Sequence, residues 1–205
     1  MKYLEELKKY EPKSQSQIKI KEKFIELYNT YGDGIFERND YGHVTASSII
    51  LNKKMDKMLM IYHNIYKHYG WQGGHNDGNS DPLDVAIDEA CEETGLTRLI
   101  VIDKVYSLDI LPVKSHYKNG FLVESHDHYN FTYVFIAYER DEIYYNEKES
   151  SDIKWVDLED LDKVCKEYEM LLLYKRVIKE FKEDEYGLSS ENQYVVERLT
   201  NNYDF

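Results

Sequence analysis

The stretch that most narrows the possible folds runs from Trp71 to Leu96, WQGGHNDGNSDPLDVAIDEACEETGL. A glycine-rich polar loop feeds straight into a helix whose two ends and inner face are all specified. Pro82 suits the first helical position, where its missing N–H would have no partner anyway. Asp81 before it can cap the free N–H groups, and Asp84 also lies near the positive end of the helix dipole. Gly95 stops the helix, because glycine enters a left-handed conformation without a steric penalty. Leu83, Ala86, Ile87 and Ala90 recur at i, i+3 or i+4 and form a stripe that seeks burial. Val85, Asp88, Glu89, Glu92 and Glu93 are then expected to turn the other way.

A helix with one apolar stripe needs a surface to cover, and the flanking segments read as strands. HVTASSIILN and KMLMIYHN are two strands joined by a turn around KKMD, and KHYGWQGGHNDGNSD reads as a turn-rich loop. After the helix, RLIVIDKVYSLDILPV is strand-like, and a hairpin leads into a long strand from His128 to Tyr138. DIKWVDLEDL gives a short strand and a helix start. Residues 1–10 and QIKIKEKFIELYNTYG read as amphipathic helices, the second placing Phe24 and Leu27 on one face, and the residues after Leu161 supply one or two more. The order implies an α/β fold in which helical layers enclose a mixed central sheet. The expected organisation is a helical segment packed on the core (1–40), one domain (41–185) and a polar C-terminal tail (186–205).

Glu89, Glu92 and Glu93 crowd one helix in a chain whose formal charge is already −13. Like charges at i, i+3 and i+4 repel by a few tenths of a kcal/mol per pair. Either water solvates them or a cation sits between them, and carboxylates on a rigid helix are hard oxygen ligands suited to Mg²⁺ or Mn²⁺. Gly73 and Gly74 let backbone groups approach the same spot. The acidic balance, with no basic stripe to offset it, argues against a nucleic-acid polymer as partner. An anionic small molecule would need local help from a metal, from backbone N–H groups or from a few cationic side chains. Apolar and charged fractions of 42% and 32% suit a soluble globular protein. No apolar run approaches the roughly 20 residues of a membrane span, and the N-terminal MKYLEELKKYEPK lacks a signal-peptide core. Cys91 and Cys165 lack metal-type spacing. These observations lead us to expect a cytoplasmic protein with no membrane partner.

The spacing around the acidic helix is more specific than its charge. From Gly74 the sequence runs five residues, Ser80, seven residues, then DEACEETGL. It resembles the Nudix box, whose pattern is glycine, five residues, Glu, seven residues, then Arg-Glu-apolar-x-Glu-Glu-x-Gly-apolar. Gly74, Glu89, Ala90, Glu92, Glu93, Gly95 and Leu96 match in register. GHVTASSIIL, GGHNDGNSD, VYSLDILPV, SHDHYNFTYVF and IKWVDLEDL look like landmarks of one bacterial Nudix subgroup, so the resemblance covers roughly residues 42–180.

The resemblance implies the Nudix α/β/α sandwich and hydrolysis of a diphosphate linkage with Mg²⁺ or Mn²⁺. By resemblance Glu89, Glu92 and Glu93 are catalytic metal ligands, joined by a backbone oxygen of the Gly74 region. Glu149 is the first choice for general base, six residues before Trp155, with Glu147 the nearby alternative. Two positions depart from the box: Ser80 replaces its first glutamate and Asp88 its arginine. In the family these two commonly tie the loop to the helix as an ion pair, so their joint loss puts loop rigidity and rate in question.

Candidate contacts to a substrate phosphate are Arg38, His75, His126 and His128, and Trp71, Tyr69 and Tyr129 are candidates to stack on a ring. His126 and His128 share a strand face, but a zinc site is not expected, because no cysteine joins them and the oxygen-rich box already accounts for a metal. The reading is a hydrolase acting on a nucleotide or another small diphosphate metabolite, with a homodimer left open. The main rival, motivated by Ser80 and Asp88, is a catalytically weak or inactive Nudix domain that binds or senses such a ligand. A diphosphate isomerase on the same fold would want a pocket cysteine paired with a glutamate, which Cys91 and Cys165 do not suit.

Overall fold

The computed structural model describes residues 1–64, 67–118, 121–145, 147 and 150–198, with the side chains of 116–118 and 121 not described. Two leader helices, α1 (Lys2–Lys9) and α2 (Gln15–Tyr31), precede the sheet. Ser14 caps α2 through its side chain, and Gly32 ends it at φ 57°. The long hairpin of β1 (His43–Asn52) and β2 (Lys57–His63) follows, then β3 (His68–Gly70), β4 (Gln72–His75) and the acidic helix α3 (Pro82–Thr94). Next come β5 (Arg98–Ile102), β6 (Ser107–Val113), a small hairpin of β7 (His116–Lys118) and β8 (Phe121–Val123), and the long strand β9 (His126–Ala137). The chain closes with β10 (Ser150–Asp157), α4 (Leu161–Val164), α5 (Tyr168–Lys182), α6 (Glu185–Leu188) and β11 (Gln193–Glu197).

The main sheet runs β10-β2-β1-β9-β5-β11, with β3 on β2, β4 on β1 and β6 on β9. β1 and β9 pair in parallel from His43↔His128 to Asn52↔Ala137, while β1 meets β2 and β4 antiparallel. The sheet is therefore mixed, as the order of elements implies. Strand alternation sends Val44, Ala46, Ile50, Phe131, Tyr133 and Phe135 to one face, where α1, α2 and α3 cover them. Ile49, Leu51, Val134 and Ile136 face the other way, under α4 and α5. The leader helices pack on their own sheet: Tyr3 is fully buried and donates to Phe24 O at 2.8 Å, and Tyr133 OH donates to Glu6 Oε2 at 3.1 Å. No helix among the described residues is long and apolar enough to cross a membrane.

Four local expectations change, and one segment not assigned from the sequence gains a structure. KHYGWQGGHNDGNSD is not only loop, because Gln72–His75 add a strand against Ser48–Thr45. The pairing is possible because glycine lets the backbones close: a Cβ on Gly73 would stand 2.7 Å from Ala46 O. The strand-like run after α3 is two strands, broken between Ile102 and Ser107 so that β5 and β6 both reach β9. The segment after α2 is a 3₁₀ turn, Gly32–Phe36, that buries Ile35 and Phe36. Part of the expected C-terminal tail is structured, since β11 pairs along the whole of β5 from Gln193↔Ile102 to Glu197↔Arg98, while residues 199–205 lie outside the described residues. Val85 does not face out with the glutamates but is 6% exposed, as part of the same buried cluster as Ala86 and Ala90.

Candidate active site

Helix α3 is held as its sequence requires. The Asp81 carboxylate accepts from the N–H groups of Leu83 and Asp84 at 3.2 and 3.4 Å, and Gly95, at φ 68°, donates to Cys91 O. The fixed helix presents its glutamates to the two glycines of β4. Gly73 N–H donates to Glu93 Oε2 at 2.9 Å, and Glu93 is 5% exposed. The Glu89 carboxylate lies against the Cα of Gly74, so close that a Cβ there would be 2.0 Å from Glu89 Oε1. Two carboxylates one helical turn apart thus meet one dipeptide. Glu92 is exposed beside them.

The other candidates divide. Arg38 reaches Asp77 with a two-pronged ion pair, Nε and Nη2 donating at 2.8 and 2.7 Å, and holds that carboxyl below its usual range. Trp71 packs its ring on Tyr174 of α5 with centroids 5.4 Å apart, and Tyr129 packs edge-on against Phe24 of α2 at 5.1 Å. Both are placed as edge-of-core residues. Tyr69 donates to the Asp152 carboxylate and carries the Lys154 ammonium 3.9 Å above its ring. Glu147 is exposed, and Glu149 lies outside the described residues. Cys91 and Cys165 are both buried and unlinked.

His75, His126 and His128 do come together, and a fourth ring that sequence reasoning passed over, His43, lies at their centre. The parallel register sets His43 beside His128, and β4 sets His75 beside Thr45, two residues along the same face. One ring nitrogen from each of His43, His75 and His128 falls within 4.8 Å of the others. His126 Nε2 is 3.2 Å from His128 Nε2. Burial, with the neighbouring imidazoles adding to it, pushes His128 down to about 3, and burial lowers His43 as well. A polar ladder continues from the cluster: Thr45 and Ser47 hydroxyls donate to Asn130 Oδ1 at 2.9 Å, and Asn130 Nδ2 donates to Thr132 at 3.2 Å.

A model of the NUDIX domain matches residues 42–181, which takes in β1 through α5 and the whole of the acidic helix. The chain belongs to the NUDIX family. An Ap4A hydrolase from C. elegans, solved as a binary complex, superimposes with a TM-score of 0.51 at 20% identity, over 69% of this chain and 98% of its own. A NUDIX-family hydrolase from Clostridium perfringens gives a TM-score of 0.47 at 24% identity, over 68% and 97%. None of the curated proteins matches the chain significantly.

Within the NUDIX box the two unusual positions find other partners. Asp88 accepts from Arg198 Nε at 2.9 Å, and the same guanidinium reaches Asp84 at 2.7 Å. The cation that the box lacks at position 88 therefore arrives just beyond β11. Ser80 offers its backbone instead of a carboxylate, its carbonyl accepting from Tyr3 N–H at 2.9 Å and tying the loop to α1. NUDIX hydrolases generally use divalent ions. Glu89 and Glu93 offer carboxylate oxygens against a glycine backbone, the hard donor type that such ions take, with the approach of Glu89 to Gly74 closed to any side chain, and Glu92 is exposed on the same helix.

Proposed function

We propose that the protein is a divalent-cation-dependent hydrolase that cleaves a diphosphate linkage in a nucleotide or another small phosphorylated metabolite. The observation that carries the reading is the seating of Glu93 and Glu89 on Gly73 and Gly74 in a chain of the NUDIX family. Glu89, Glu92 and Glu93 would hold Mg²⁺ or Mn²⁺, with a backbone oxygen of the Gly74 region. When bound, such ions neutralise charge on non-bridging phosphate oxygens and acidify the attacking water. The protein's own share is position. The Gly73 N–H fixes one Glu93 oxygen, and the helix keeps Glu89 in register one turn away. Glu149 is proposed as the base that accepts the proton of the attacking water, with the sequence position as its support. Arg38 is proposed to meet a substrate phosphate from its ion pair with Asp77, which engages Nε and Nη2 of the guanidinium.

The test is product release from a panel of nucleoside di- and triphosphates, nucleotide sugars and dinucleoside polyphosphates, with Mg²⁺ or Mn²⁺ and a coupled phosphatase. Glu93→Gln is the matched control, since its amide oxygen can still accept from Gly73 N–H. Turnover that the variant loses by several orders of magnitude supports the reading. If no compound turns over, yet one raises the melting temperature of both proteins, the chain is a binding domain instead.

A further inference from the structure

The histidine cluster has the features of a metal cage of a different kind from the glutamates. It sits on the opposite face of β4, because Gly74 turns toward α3 and the next residue, His75, turns away. Its donors are imidazole nitrogens, which suit late first-row ions such as Zn²⁺, whereas Mg²⁺ prefers oxygen. We propose that His43, His75 and His128 bind one Zn²⁺ ion, with His126 as fourth ligand.

Four observations support the site. The three nitrogens already converge within 4.8 Å, from three strands whose registers are fixed by the sheet. His126 and His128 place Nε2 atoms 3.2 Å apart, close to the separation of about 3.3 Å that two nitrogens have on a tetrahedral ion with bonds of 2.0–2.1 Å. His43 is 3% exposed, and its Nε2 is buried with no hydrogen-bond partner, a cost that a metal bond would remove. Finally, two rings have a backbone carbonyl at Nδ1, Asn39 O at 3.1 Å from His43 and Glu124 O at 2.8 Å from His126. A carbonyl there holds the proton on Nδ1 and turns the Nε2 lone pair inward, the usual support for a metal-bound histidine. The Asn39 N–H also lies 3.3 Å from His43 Nδ1, a longer contact than the carbonyl.

The test uses the full chain without a histidine tag, stripped with a chelator, and measures Zn²⁺ binding by competition with a chromophoric chelator. One ion per chain is expected, with affinity weakened at least tenfold by His75→Gln or His128→Gln, as even losing a group that merely orients a ligand costs about 10–100-fold. Glu93→Gln should leave the Zn²⁺ affinity unchanged, which separates this site from the NUDIX box and from any failure of the hydrolase reading. X-ray absorption at the zinc edge of the wild-type protein counts the imidazoles directly, independent of whether any variant folds. Three or four imidazoles uphold the site. An oxygen-dominated shell, no binding in the micromolar range, or binding lost in Glu93→Gln but kept in the histidine variants overturns it.

Discussion

Gly74 has no room for a side chain, and the reason is contact with Glu89 rather than backbone conformation. A Cβ there would stand 2.0 Å from Glu89 Oε1 and 2.3 Å from its carboxyl carbon. The obstructing atoms are the end of a flexible side chain, so Gly74→Ala can be absorbed by swinging Glu89 aside. We expect a stability loss of about 1 kcal/mol and a fall in kcat of roughly 100-fold, the scale of a catalytic group misplaced by 1 Å. Thermal melts beside turnover check it, and an unchanged kcat would remove Glu89 from the site. Gly73→Ala differs, because its Cβ would meet the Ala46 carbonyl in the neighbouring strand at 2.7 Å and must disturb the pairing itself. Both glycines and the three glutamates stand out in the sequence, through the acidic helix and its resemblance to the box. Arg198 is not: it stands 110 residues from Asp88 and reads as one charge in a polar segment. Nor is His43, which becomes a neighbour of His128 only through the parallel register of two distant strands.

At the scale of elements, legibility follows how much of an element's stability is local. Helix α3 carries its cap, its proline and its stop within its own sequence, and its observed bounds agree with the expected ones to a residue. β11 carries almost none: its five residues are half-buried or exposed, and it exists because β5 offers an unpaired edge. What brings the chain back to that edge is the end of α5. Asp184 accepts from Lys104 Nζ at 2.7 Å and from Tyr106 OH at 2.8 Å, tying the helix end to the β5–β6 connection. Burial alone would raise the Asp184 pKa, but the bonds from Lys104 and Tyr106 outweigh it and hold the group below its usual range. A carboxyl depressed in the folded state stabilises the fold above its unfolded pKa, and that contribution fades as pH falls through the folded value. Asp184→Asn should therefore cost about 1–3 kcal/mol at pH 7. The gap from wild type should close as pH drops below about 4, the ordinary carboxylate range. Denaturant midpoints at pH 7, 5 and 3 measure both, and a gap that widens with acid would refute the assignment.

At the scale of the molecule, the sheet separates two chemistries that the sequence places side by side. Gly74 and His75 are neighbours in the chain, yet one faces the acidic helix and the other the imidazoles. Sequence spacing shows the first face, because a helix fixes its own periodicity. It conceals the second, because three strands must assemble before the rings meet. The net charge of −13 makes the acidic face a further source of instability, as Glu89, Glu92 and Glu93 add mutual repulsion to an already anionic surface. An ion held between them should relieve it. At Mg²⁺ concentrations 100 times its Kd, binding to the folded state alone stabilises by about 2.7 kcal/mol. For a chain of this size that is a rise in Tm of about 5–10 °C. Glu93→Gln should begin at an equal or higher Tm in chelator, having lost one like charge, and then gain little from Mg²⁺, so that the two melting curves exchange order. NaCl at matched ionic strength is the necessary control, because screening of an acidic surface would raise both proteins alike. If NaCl reproduces the whole shift, or the variant rises as far as wild type, the carboxylates are a solvated face and not a cation site.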